Sequence, residues 1–228
     1  MRRFGMLGGG AVRGLSVISE VLQFLNPKPQ LGLDELVLWR AGRGKDATSP
    51  SMPSSNSGGI AAWRCVDDSD YGGKSQSSAT AHEEEGGFVR FGGSVAFDKD
   101  LADAKKVKGG FCAVIGKCTP TVDLRDFTGI EFSLRSIQPQ TFTINLKCAS
   151  LIEDDMYQVR CELAGSAVWR RIRVPFDKFH LTARGMERET NRANDSLQVE
   201  SVGFLFKEND LPRERQLSLD LREVKAFA

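Results

Sequence analysis

Gly129-Ile130-Glu131-Phe132-Ser133-Leu134-Arg135 is the stretch on which the fold turns. Apolar Ile130, Phe132 and Leu134 alternate with polar Glu131, Ser133 and Arg135, and in an extended chain successive side chains point to opposite faces. One face is core and the other is wet, as in an antiparallel strand covered on one side. The alternation returns in Thr141-Phe142-Thr143-Ile144-Asn145-Leu146-Lys147 and in Val168-Trp169-Arg170-Arg171-Ile172-Arg173-Val174. Apolar runs of strand length also occur at 111–115, 197–206 and 217–224. Residues 88–97 add a Gly92-Gly93 step that fits a bulged strand or a tight hairpin. Roughly eight to ten strands, separated by turn signals and with hardly a helix between them, predict an all-β antiparallel sandwich over residues 60–228.

Upstream the pattern changes. Residues 1–41 read as a basic leader with an amphipathic helix, an N-terminal helical extension to the sandwich. Ala11, Leu15, Ile18, Leu22 and Leu25 follow the spacing of one helix face, and Asn26-Pro27 stops it, because proline disfavours helix in the residue before it. Arg2, Arg3 and Arg13, with no acidic residue before Glu20, match a mitochondrial transit segment; a docking helix is the alternative. Residues 42–59 are a Ser/Gly/Pro-rich linker with almost nothing to bury.

The totals exclude several functions. Across 228 residues, 31 Lys and Arg against 30 Asp and Glu leave a net charge of +1, which gives no reason for a nucleic-acid partner or for electrostatic docking on a membrane. No stretch has the ~18–20 continuous apolar residues of a membrane span. Cys65, Cys112, Cys118, Cys148 and Cys161 lack CxxC spacing, and His82 and His180 lie far apart, so no zinc set forms. The thiols read as reduced and mostly buried, with Cys112 and Cys118 placed to meet across a turn. Catalysis by a nucleophile needs a base and an orienter, whereas His82 falls in a polar loop stretch and His180 ends a short helical turn. Asp67, Asp68, Asp154 and Asp155 read as acidic turns rather than a glycosidase pair. Gly8-Gly9-Gly10 lacks the strand and spacing of a phosphate loop. The basic groups Lys105, Lys106 and Lys108, and Arg184, Arg188 and Arg192, read as solvated loops. No catalytic residue and no cofactor are expected.

Three segments carry a resemblance. They are Trp63-Arg64-Cys65-Val66-Asp67-Asp68-Ser69-Asp70-Tyr71-Gly72-Gly73-Lys74-Ser75, then Asp154-Asp155-Met156-Tyr157-Gln158, then Trp169 to Phe179 with Pro175-Phe176, followed by Arg184-Gly185 and Ser201-Val202-Gly203-Phe204. In this order and spacing they resemble the complex I intermediate-associated protein 30 family, over about residues 60–228. Cys65 and the run Glu83-Glu84-Glu85 depart from its pattern.

The resemblance implies a galactose-binding-like jelly roll without catalytic function. It implies an assembly factor or accessory subunit of mitochondrial respiratory complex I (NADH:ubiquinone oxidoreductase), acting as a chaperone by protein–protein contact with complex I subunits or their assembly intermediates. The location would be the matrix side of the inner membrane, peripheral to it, with a plastid as the alternative. It marks Trp63, Asp67, Asp68, Gly72, Gly73, Ser75, Asp155, Tyr157, Gln158, Trp169, Pro175, Phe176, Arg184 and Gly185 as structural or partner-binding.

Read physically, Trp63 and Trp169 are apolar anchors and Gly72-Gly73 supplies a tight turn. Asp67, Asp68 and Asp70 cap that turn, with a calcium site the lesser reading. Asp155, Tyr157 and Gln158 open a strand, and Pro175-Phe176 begins a short helical turn pinned by Phe176 and Phe179. Two rival functions are a carbohydrate-binding module, which needs exposed aromatic rings, and an RNA-associated factor, whose binding would weaken steeply with salt.

Overall fold

Alternating side chains become two facing sheets in the computed structural model, which describes residues 34–42, 59–96, 110–150, 152, 154–183, 186–188, 197–208 and 216–228. In chain order the strands are β1 (Glu35–Arg40), β2 (Ile60–Asp67), β3 (Gln76–His82), β4 (Phe88–Ser94), β5 (Phe111–Asp123), β6 (Gly129–Ser136) and β7 (Gln140–Cys148). There follow β8 (Asp155–Leu163), β9 (Ser166–Pro175), β10 (His180–Ala183), β11 (Met186–Glu187), β12 (Gln198–Lys207) and β13 (Gln216–Phe227). One sheet runs β3-β4-β13-β6-β9 with β1 also on β13; the other runs β11-β10-β8-β7-β12-β5-β2. Every pairing is antiparallel.

Ile130, Phe132 and Leu134 are fully buried, as their alternation requires. They meet Phe142, Ile144 and Leu146 of β7 and Val202, Phe204 and Phe206 of β12 in one core. Phe204 is its hub: Phe132 approaches edge-on at 5.5 Å, Phe142 at 5.8 Å, and Trp63 stacks at 5.9 Å. Such ring pairs stabilise beyond their buried area by about 0.5–1.5 kcal/mol.

Several expectations are corrected. The sandwich does not begin at Ile60: β1 lies inside the stretch read as leader. It pairs with β13 over Glu223–Phe227, end to end with β4, which takes Gln216–Leu221 along the same strand. A register shift between Val37 and Trp39 lets adjacent Leu38 and Trp39 both bury. Cys112 and Cys118 do not meet across a turn, because both lie on the continuous strand β5; all five thiols are free. His82 is no loop residue but the last of β3, stacked on Phe88 at 4.6 Å. His180 opens β10 instead of closing a turn. Residues 88–94 form one strand, with Gly93 at φ 151°. The helix at 11–25, the transit segment, Gly8–Gly10, residues 43–58, the lysines at 105–108, and Arg184, Gly185 and Arg192 all lie outside the described residues.

Candidate binding surfaces

The acidic turn is held by its own side chains. After β2 the chain makes a 3-10 turn, Asp68–Tyr71, for which Asp67 is the N-cap. Asp67 Oδ1 accepts from the Ser69 backbone N–H at 3.1 Å and from the Ser69 hydroxyl, while Oδ2 accepts from Ser77 N at 2.9 Å and Ser77 Oγ at 2.7 Å. Burial pushes this carboxyl's pKa up, but the bonds from Ser69 and Ser77 outweigh it and hold the group below the usual aspartate value. Asp68 is buried and accepts from Ser75 N at 2.9 Å. Ser75, also buried, bonds Ala96 in both directions.

Gly72 adopts φ 84°, the left-handed conformation that closes the turn. Gly73 has no room for a side chain: a Cβ there would stand 2.2 Å from Asp68 Cγ. Both oxygens of Asp67 are thus occupied by N–H and O–H donors and Asp68 Oδ1 by an N–H, while Asp70 is exposed. Among the described residues no cluster of three metal-binding side chains occurs.

Trp169 sits on the outer face of the β3-β4-β13-β6-β9 sheet. Its indole N–H donates to Glu85 Oε2 at 2.8 Å. The Arg135 and Arg222 guanidiniums lie 4.5 Å and 4.0 Å from the ring centre, a cation–π arrangement. Both arginines also bind Glu85, and Arg135 joins Arg90 on buried Asp220 at 2.7–3.0 Å. The bond from Trp169, then that from Arg135, holds the Glu85 pKa below the usual glutamate value. Further along, Lys225 links Glu35 and Glu223 while Glu131 receives Arg173. Most charges described on this face are paired with an opposite charge.

The opposite outer face differs. Pairing registers align Arg64, Ile115, Gly203, Asn145, Gln158 and His180 in one row across six strands, a span of about 24 Å at the usual strand spacing. Gln158 donates to Asn145 Oδ1 at 2.9 Å. Ile115 is 37 % exposed, and Arg64 and Lys117 have no carboxylate partner among the described residues. Neighbouring Tyr157 points inward, against the core. Asp155, at the start of β8, is buried, meets Arg188 at 3.2 Å and accepts from Ser150 Oγ at 3.3 Å.

Pro175 and buried Phe176 mark a third place. They end β9, open the 3-10 turn Phe176–Lys178, and line a shallow groove of about 510 Å³ with Arg125 and Phe127. The twelve described resemblance residues thus do not converge on one pocket. They hold the acidic turn, the core, the paired charges and the strand ends, and Gln158 alone among them joins the outer row. The row's other polar members, Arg64, Asn145 and His180, and the Glu85 hub are not among those residues. Alternation alone marks Asn145 as outward-facing; nothing local marks Glu85.

Comparison with known proteins agrees with this architecture. The family profile described as complex I intermediate-associated protein 30 (CIA30) matches residues 52–221. No curated protein matches the chain. Similar solved structures include a family 11 carbohydrate-binding module from Clostridium thermocellum in complex with a β-1,3-1,4-mixed-linked tetrasaccharide. It is 15 % identical, covers 73 % of this chain and 88 % of its own, and gives a TM-score of 0.51. The solution structure of CtCBM11 gives 0.53 at 14 % identity, covering 87 % of this chain and 98 % of that one. The agarase AgWH50C gives 0.51 at 10 % identity, with 86 % of this chain matched to 25 % of that one. At such identities the likeness is one of fold.

Proposed function

The chain belongs to the complex I intermediate-associated protein 30 family, and from that premise we propose that it is a non-catalytic assembly factor or accessory subunit of mitochondrial respiratory complex I. It binds complex I subunits or their assembly intermediates from the matrix side of the inner membrane. We read its sandwich as a galactose-binding-like jelly roll. The observation that carries the reading is the family match over residues 52–221.

The geometry supports a binding role rather than chemistry. Asp67 and Asp68 of the acidic turn accept from backbone and hydroxyl donors, and neither His82 nor His180 stands against a described nucleophile: the first stacks on Phe88 and the second lies 3.2 Å from Glu187. Among the described residues no helix is long and apolar enough to cross a membrane. The row from Arg64 to His180, apolar at Ile115 and polar at its flanks, has the makeup of a protein contact surface.

Sugar sites stack aromatic rings on exposed faces. Here Trp39 is buried, Trp63 packs in the core and Trp169 lies between two guanidiniums; Tyr71, 62 % exposed, is on the β2–β3 turn and not in the row. That placement favours a polypeptide over a glycan.

Native gel electrophoresis of solubilised mitochondria carrying the tagged full chain tests the proposal. Co-migration with complex I or its precursors is expected. Migration apart from both, or specific retention on a glycan array, overturns it.

A further inference from the structure

We propose that the outer edge of β9 is a docking site for an extended, acidic segment of a partner polypeptide, which adds to the sheet as a further strand. This deepens the protein-binding reading above and rests on it. β9 is ten residues long, lies last in its sheet, and among the described residues pairs with β6 alone. Its groups can be assigned to its two sides. Phe176 N donates to Thr128 O at 2.9 Å, next to the opposed pair Gly129 and Pro175. Antiparallel ladders alternate bonded and non-bonded pairs, so the bonded ones are Ile130 with Val174, Phe132 with Ile172, and Leu134 with Arg170. The Val174 carbonyl agrees, standing 2.6 Å from where a Cβ on Gly129 would lie. The N–H and C=O groups of Arg171 and Arg173 therefore face away from β6, towards the open edge.

Open edges invite pairing and are ordinarily blunted by bulges, proline or charge. β9 has Pro175 only at its last position and a register shift only towards its start, between Ser166 and Arg170, and it leaves the core as it runs backwards. Val174 is buried, Ile172 half-buried and Val168 67 % exposed.

What guards the edge is positive charge, and this selects the occupant. Arg171 and Arg173 are 70 % and 57 % exposed and share the carboxylate of Glu131, at 3.8 Å and 2.6 Å; Glu35 lies 3.9 Å from Arg173. Arg170 is exposed and has no carboxylate partner among the described residues. A second copy pairing antiparallel through β9 would set arginine against arginine, which is unfavourable across strands. An acidic strand with interspersed β-branched residues meets Arg171 and Arg173 on one face and Arg170 with Ile172 on the other, in the manner of β-strand addition.

The test uses the ¹⁵N-labelled full-length chain and an acetylated eight-residue peptide alternating glutamate and valine. Binding should shift the amide signals of Arg171 and Arg173 and slow their hydrogen exchange. The same peptide N-methylated at alternate residues should bind at least about tenfold more weakly, since its edge donors are gone. Arg170→Glu, at a side chain with no described carboxylate partner, should weaken binding roughly fivefold while leaving the spectrum's dispersion intact. Unchanged affinity on N-methylation, protection appearing on β3 or β11 instead, or displacement by single-stranded RNA would overturn the site. If the peptide fails while the full chain still co-migrates with complex I, the edge is refuted and the function stands. Peptide binding without co-migration supports the edge and refutes the complex I assignment.

Discussion

Asp67→Ala removes one carboxylate that holds two segments at once, the 3-10 turn after β2 and the start of β3. Loss of an N-cap costs about 0.5–2 kcal/mol. The Ser77 N–H, part-buried and 2.9 Å from Oδ2, is left without its acceptor, at a cost of about 1–3 kcal/mol. The two serine hydroxyls can turn to water and add little. The sum is about 1.5–5 kcal/mol, or a fall in Tm of about 3–20 °C for a domain of this size. Urea unfolding followed by circular dichroism reads it as a lower midpoint at unchanged slope.

Asp67→Asn keeps an oxygen for the cap and turns an amide against the Ser77 N–H, so it should lose about half as much. The pH dependence has a definite sign. The folded pKa is lowered, so the carboxylate's stabilisation is complete above the unfolded value of about 3.9 and fades as pH falls through the lower folded value. Below about pH 4 the Asn variant should therefore lose less stability than the parent. A loss under about 0.5 kcal/mol for the alanine variant, the scale of an ordinary surface change, would refute the reasoning. So would a rise of several degrees in the parent's Tm on adding calcium, which would show the oxygens serving an ion.

Three further outcomes are expected. Trp39→Ala, at a residue 2 % exposed and in edge-on contact with Trp63 at 5.6 Å, should cost about 3–5 kcal/mol in urea unfolding, which a dispensable leader would not. Asp220→Ala strands the Arg90 and Arg135 guanidiniums on the outer face; a loss of about 3 kcal/mol is expected, tempered because Arg90 is 38 % exposed and Arg135 retains Glu85. Burial pushes the thiols of Cys112, Cys118 and Cys148 up to about 12 and that of Cys161 to about 11. Native protein should therefore react with Ellman's reagent at pH 8 far more slowly than the urea-unfolded chain.

How much of this was legible in the sequence depends on how far apart the interacting residues lie. The strands at 129–135, 141–147 and 168–174 were readable because period-two alternation is local and a half-covered sheet writes it directly. The acidic turn was readable too, since an aspartate cap and a glycine in left-handed conformation act within a few residues. β1 was not: its six residues are short, and their partner β13 lies at the other end of the chain. The Trp169 cluster escaped for the same reason, since Glu85 comes from the 3-10 turn at Glu84–Gly86 and Arg135 and Arg222 from separate strands, which only the fold brings together. The outer row from Arg64 to His180 is a property of alignment between strands. Alternation says which way Asn145 points; only pairing says that Gln158 stands beside it.

The seat of β1 along β13 changes what residues 43–58 connect. Strands on both sides of that stretch belong to the same body, so cutting the chain between Ser54 and Ser55 should not release a separable module. The piece carrying Leu38 and Trp39 has its hydrogen-bonding ledge waiting on residues 223–227. A synthetic peptide covering 34–42, supplied in trans, should reseat on a chain that starts at Gly59, making the protein a candidate for split-fragment reassembly.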